Sequence, residues 1–281
     1  MIEDYKFSRK NISSSVPLSK NKDINVLFIA DIVGTPGLEI ASKLTPTIKE
    51  KYKIDFCIAN GENGCDGKGL TQKIARQYFS FGVDVITSGN HIWDNRDIYE
   101  LLSNNNRILR PLNYPEGNVG HGSTIVEMAD GVKIGVINLQ GRTFMYSIDC
   151  PFKKGLTEAK HLQKDTNIII VDFHAEATAE KVAMGWYLDG KVSAVIGTHT
   201  HVPTADERIL PEGTAYITDV GMTGPFDSVI GLKKEIAIKR FLHQTPEKYK
   251  TAEENLKYCA AVISIARDTG RATKIERILA P

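Results

Sequence analysis

Two histidines one residue apart, in Thr198-His199-Thr200-His201, close an apolar run, and a third, His174, closes another run earlier in the chain. Alternate residues of an extended strand point the same way, so His199 and His201 can reach one small volume. Oxygen donors occupy the matching place on other runs. Asn25–Ala30 runs into Asp31, Phe56–Ala59 into Asn60-Gly61-Glu62-Asn63, and Val83–Gly89 into Asn90-His91, while Ala215–Thr218 reaches Asp219. Each has an ordinary reading when taken alone: a surface histidine pair, a capping Asp31, a polar Glu62-Asn63 loop, a turn residue at Asn90. Recurrence at successive strand ends is not turn chemistry, and it predicts a metal centre.

Three imidazoles, two carboxylates and an amide, without thiolate, suit manganese, iron or zinc rather than a structural four-cysteine zinc or an iron–sulfur cluster. This set exceeds what one open catalytic ion requires, so two ions sharing a carboxylate are expected. Such pairs lie ~3.5–4 Å apart and act on both oxygens of an in-line phosphoryl displacement.

Other candidate chemistry is weaker. The glycine-rich segment Gly61–Gly69 resembles a P-loop but fails its spacing. Five residues separate Gly61 from Gly67, and Gly69 follows Lys68 where Ser or Thr is needed. Its backbone can still approach a phosphate, and Lys68 is a candidate substrate contact. Cys65 has no base beside it and reads as a small loop residue. Trp93 and Trp186 read as packing residues, and no aromatic pair is identifiable as a clamp for a base.

The elements that must position these groups follow from periodicity. Continuous apolar runs read as buried strands, and ligands in open α/β sheets sit beyond their carboxyl ends. Helices are expected from Pro36 to about Lys51, with Pro46 a break or kink, from Thr71 as N-cap through Phe81, and from Glu176 to about Leu188. Ser123–Met128 and Val132–Leu139 read as a hairpin turning at Asp130-Gly131, as do Tyr258–Ala266 and Ala272–Ile278 around Asp268-Thr269-Gly270. Parallel βα units mixed with antiparallel hairpins make an α/β fold. Residues 1–23 are polar and read as an N-terminal extension, and residues 24–281 as one domain of two mixed sheets flanked by helices.

A chain of 281 residues can bury roughly 75% of its unfolded surface, so its core needs no staples. Its 35 basic against 34 acidic residues give no reason to expect DNA binding or a membrane surface. No stretch approaches the ~18 apolar residues of a membrane span. Cys57, Cys65, Cys150 and Cys259 form no CxxC pair, so a reducing cytoplasm is the expected location. Oligomeric state is left open.

With Asp31, Gly61-Glu62-Asn63, Gly89-Asn90-His91, His174 and Gly197-Thr198-His199-Thr200-His201 in this order, the chain resembles the calcineurin-like metallophosphoesterases, and most of all their YmdB-like branch. The resemblance runs from about Asn25 through Asp219–Gly224 and beyond. The superfamily's usual Asp-x-His stands here as Asp31-Ile32-Val33, and its usual bridging aspartate as Glu62. The branch shares both departures. The resemblance implies a four-layer α/β/β/α sandwich. It implies that Asp31, Glu62 and His201 hold one ion, with Asn63 assisting, and that Glu62, Asn90, His174 and His199 hold the second. His91 would face substrate as general acid or charge stabiliser.

The expected function is a dinuclear-metal phosphodiesterase opening 2′,3′-cyclic nucleoside monophosphates by attack of a metal-bridging hydroxide, with RNA ends as further substrates. Iron or manganese are the expected ions, with zinc the alternative. Rival readings are a phosphomonoesterase or nucleotidase using the same site, and a non-catalytic regulatory scaffold. Side-by-side turnover of diesters and monoesters separates them.

Overall fold

A computed structural model describes residues 23–281, so the expected N-terminal extension lies outside the described residues apart from Asp23. In chain order the elements are β1 (Ile24–Ile29), β2 (Asp31–Ile32), α1 (Gly34–Tyr52), β3 (Phe56–Asn60), α2 (Gln72–Ser80), β4 (Val85–Thr87), α3 (Tyr99–Asn104), β5 (Ser123–Glu127) and β6 (Lys133–Gln140). They continue with α4 (Pro151–Leu162), β7 (Ile168–His174), α5 (Thr178–Leu188), β8 (Ala194–Thr198), β9 (Arg208–Ile209), β10 (Ala215–Ile217), β11 (Met222–Pro225), α6 (Lys234–His243), β12 (Leu256–Ile265) and β13 (Ala272–Ala280).

The strands form two mixed sheets. One has the order β2-β11-β12-β1-β3-β4, with β13 pairing β12, and the other has the order β5-β6-β7-β8-β10-β9. Period-two alternation then divides the apolar residues among three cores. Val26, Phe28 and Ile58 from the first sheet meet Val136, Ile170 and Ile196 from the second. Leu27, Ile29 and Cys57 turn outward to Ile40 and Ile48 of α1 and Tyr78 of α2. Val171, Phe173 and Val195 turn outward to Ala159 of α4 and Met184 of α5. Helices, sheet, sheet, helices is the α/β/β/α sandwich.

Strand direction positions the site. β1, β3 and β4 are mutually parallel, as are β6, β7, β8 and β10. Asn60, the last residue of β3, donates to Asp172 near the end of β7 at 3.1 Å, so the carboxyl ends of both parallel sets open on one edge of the sandwich.

Both expected hairpins form, the first with Gly131 at φ 82° in its turn and the second with Gly270 at φ 69°. Pro46 does not break its helix. Helix α1 runs through it, because Pro46 and Ser42 both lie on the solvent face, where the carbonyl that loses its partner stays hydrated. Among the described residues no helix is long and apolar enough to cross a membrane.

Candidate metal centre

Glu62 and His174 are both buried at the rim, with His174 Nε2 3.0 Å from Glu62 Oε1. His199 Nδ1 lies 3.0 Å from the same His174 nitrogen. One donor atom from each of the three falls within 4.8 Å of the others. Donors sharing an ion at ~2.1 Å stand about 3–3.4 Å apart, close to the separation of His174 from Glu62 and from His199. Asp31 lies alongside, its Oδ1 3.9 Å from His174 Nδ1 and 3.8 Å from His201 Nε2.

Outer partners fix which nitrogen each imidazole offers. Thr198 donates its hydroxyl to Asp172 at 2.7 Å, so it accepts from His174 Nδ1 at 3.0 Å, and His174 Nε2 is left facing the cluster. Glu176 Oε2 takes His199 Nε2 at 3.1 Å, leaving Nδ1 inward. The Ile230 carbonyl takes His201 Nδ1 at 3.0 Å, leaving Nε2 toward Asp31. One ring from the end of β7 and two from the loop after β8 thus turn their remaining nitrogens toward the cluster.

The oxygen donors show the same pattern. Asp31 Oδ1, Asn63 Oδ1 and Asn90 Oδ1 are buried without a hydrogen-bond partner. Asn63 donates its amide to the Gly67 carbonyl at 3.0 Å, which turns its oxygen away as a free acceptor. Buried acceptors without partners are costly and rare, and three of them beside a histidine–carboxylate cluster suit a cation. The residues present therefore fit a bound metal.

Charge repeats the point. Burial drives the Asp31 carboxyl well up, opposed by His174 and reinforced by Asp219, Glu62 and Asp172. Burial would also raise Glu62, but His174 beside it wins and holds it at about 2. His174 is pushed to about 9 by Glu62 against its own desolvation. Desolvation and the neighbouring His174 hold His199 down at about 2, as a neutral ligand requires. These are carboxylates crowded in a dry seat and held together by one imidazole.

The histidine pair does not converge by strand alternation as expected. Strand β8 ends at Thr198, and His199 and His201 adopt φ 99° and φ 63° in the loop beyond it. Left-handed backbone at non-glycine residues costs on the order of 1–3 kcal/mol each and persists only where the surroundings impose it. Asp219 imposes it here, accepting from Thr200 N at 3.1 Å and Gly221 N at 2.8 Å. Lys181, buried on α5, holds Asp219 at 2.5 Å and also donates to the Thr198 carbonyl. Asp219, just beyond β10, is thus a loop anchor.

Of the two further predicted residues, His91 adjoins the cluster. His91 donates its backbone N–H to Glu62 Oε2 at 2.9 Å, and its Nδ1 lies 2.8 Å from Asp94. The carboxylate takes the Nδ1 proton, so Nε2 is free for substrate. Lys68 is exposed and lines a cavity of about 920 Å³ with Lys233, Lys248 and Lys250, which shares no residue with the donor cluster. Gly89 explains the close packing, since a methyl there would lie 2.2 Å from His174 Nε2. Trp93 packs edge-on against Tyr99 and Tyr114, as a packing residue should. Trp186 is 50% exposed with Arg208 over its ring.

Sequence reasoning missed Thr198, Asp172, Glu176 and Lys181. For Asp172 a signal existed. It stands two residues before His174 on one strand and so shares its face.

Comparison with known proteins agrees with this geometry. A curated 2′,3′-cyclic-nucleotide 2′-phosphodiesterase from Bacillus subtilis (strain 168) is 50% identical over 256 residues, covering 91% of this chain and 97% of that protein. A putative phosphatase/phosphodiesterase from Mycoplasma genitalium is 40% identical over 265 residues, covering 91% and 92%. The crystal structure of a novel phosphatase from Mycoplasma pneumoniae superposes with a TM-score of 0.85 at 37% identity, covering 92% of this chain and 93% of that one. The sequence model of the YmdB-like proteins matches residues 27–278. The chain belongs to the YmdB-like family, and its enzymatic class is that of hydrolases acting on phosphoric diesters.

Proposed function

We propose that the protein hydrolyses 2′,3′-cyclic nucleoside monophosphates at a centre of two transition-metal ions, iron or manganese, with zinc as the alternative. The observation that carries this is the convergence of Glu62, His174 and His199, each imidazole oriented by its own outer partner. Asp31, Glu62 and His201, helped by Asn63, would hold one ion; Glu62, Asn90, His174 and His199 would hold the other. Bound there, the ions supply an activated water and neutralise charge on the phosphoryl oxygens.

The chain's own groups do the rest. Glu62 is held at both oxygens, by His174 and by the His91 backbone, so it can serve two ions without swinging. In the imidazolium form His91 would donate from Nε2 to the leaving ribose oxygen, keeping its Nδ1 proton on Asp94, which steadies the ring. The Bacillus subtilis relative's name specifies cleavage at the 2′ position, which leaves a nucleoside 3′-monophosphate. A near-neutral chain suits a mononucleotide better than a long polyanion, which needs an extended basic track. For Lys68 the proposal is contact with a phosphate, supported by the lysine-bearing cavity that its side chain lines.

The test is protein loaded with manganese or iron and assayed against 2′,3′-cyclic, 3′,5′-cyclic and monoester nucleotides. Faster turnover of monoesters installs the second reading, a nucleotidase, which the phosphatase in the Mycoplasma genitalium relative's name supports. No turnover at full metal occupancy ends the catalytic reading.

A further inference from the structure

Strand β6 ends on the same edge as the donor cluster, and the segment leaving it is tied there. Gly141 N donates to the His174 carbonyl at 2.9 Å. The Glu180 carboxylate, in the first turn of α5, accepts from Arg142 N at 3.0 Å and Thr143 N at 3.1 Å. Met145 N closes a turn onto the Arg142 carbonyl. On this anchored turn Phe144 is 88% exposed at φ 63°, and Tyr146 is 67% exposed. A large apolar ring in left-handed backbone, standing in water, gains nothing from folding.

Phe144 and Tyr146 do face something. With Met145 they line a cavity of about 390 Å³ whose other lining residues are Asn90 and His199, two of the metal donors. That volume falls in the ~300–1,000 Å³ range of small-molecule sites. One side of the cavity is the metal centre, which takes phosphate, and the other offers two aromatic faces.

We infer that Phe144 and Tyr146 form the platform on which the substrate's base stacks, an inference that rests on the cyclic-nucleotide reading of the site. The phosphate is held at the metals, the ribose crosses Asn90 and His199, and the base lies against the aromatic turn. Every base has a π-face, so the platform accepts all four, and purines, with the larger face, bind more tightly than pyrimidines. Sequence alone showed no such pair, because Phe144 and Tyr146 lie in an irregular segment with no periodicity to mark them.

The test measures binding separately from turnover. Metal-loaded wild type, Phe144→Ala/Tyr146→Ala and Phe144→Trp are titrated calorimetrically with adenosine 3′-monophosphate and with ribose 3-phosphate, which has no base. Both positions are exposed, so the substitutions leave the fold and metal content intact. The double alanine variant should lose about 10-fold in affinity for the nucleotide and little for the sugar phosphate, with Phe144→Trp retaining wild-type affinity. On 2′,3′-cyclic AMP the same variant should raise KM about 10-fold and change kcat less than about twofold. Wild type binding both ligands equally, or a double variant that loses neither or both, overturns the platform. If wild type prefers the nucleotide yet turns over no cyclic nucleotide, the activity reading fails while the platform stands.

Discussion

Thr198 donates its hydroxyl to Asp172 and thereby accepts from His174, so one side chain sets the tautomer of a buried imidazole. Thr198→Val keeps the shape and removes that relay. Metal affinity should fall ~10–100-fold, the usual effect of losing an outer-shell partner. Chelator competition followed by elemental analysis measures it, and unchanged affinity would show that His174 is oriented by something else.

His91 donates its backbone N–H to Glu62, and the role proposed for its ring, toward substrate, is separate from that contact. His91→Ala should therefore leave metal content intact while lowering kcat by ~10²–10⁴-fold, the ordinary contribution of general acid–base help. Leaving groups of low pKa should suffer least. Equal losses on nitrophenyl and nucleoside esters would favour charge stabilisation over proton donation.

Gly89→Ala places a methyl where the His174 ring lies. The ring must move, so occupancy should fall at the ion that His174 is proposed to hold, with the thermal transition of metal-free protein shifted less than for a core cavity. Anomalous scattering from the variant decides it. Full occupancy at unchanged His174 geometry would contradict the packing described.

Metal loading should release protons. Without metal, His174 titrates near 9 because Glu62 outweighs its desolvation, so it is protonated at neutral pH. Its Nε2 must lose that proton to coordinate, and release should fade as pH rises through 9. Calorimetry at about pH 7.5 in two buffers of different ionisation enthalpy reads the count directly. Heats independent of buffer would mean that His174 is not a ligand.

Much of the candidate site was legible because its candidate donors lie at strand ends, and apolar runs leading to Asp31, Glu62, Asn90 and His174 are visible without coordinates. The fold was legible for the same reason, from strand runs and glycine turns. Helix α4 was not, because its buried positions Pro151, Gly155, Ala159 and Leu162 carry the helical period in small size rather than hydrophobicity. Helix α6 buries only Ala237 and leaves Phe241 and Leu242 exposed, so it carries little amphipathic signal. The loop holding His199 and His201 depends on Lys181 and Asp219, 38 residues apart and meaningful only once paired.

The donors come from both sheets, with Asp31, Glu62 and Asn90 on one rim and His174 and His199 on the other, and His174 stands 143 residues beyond Asp31. No local segment of an unfolded chain can assemble them, so ligation comes after the two halves have docked. A contact absent from the transition state slows escape from the native state and leaves the approach to it unchanged. Bound metal acts as a clasp across the seam between the sheets. A chelator should shorten the lifetime of the folded chain while refolding proceeds at the same rate.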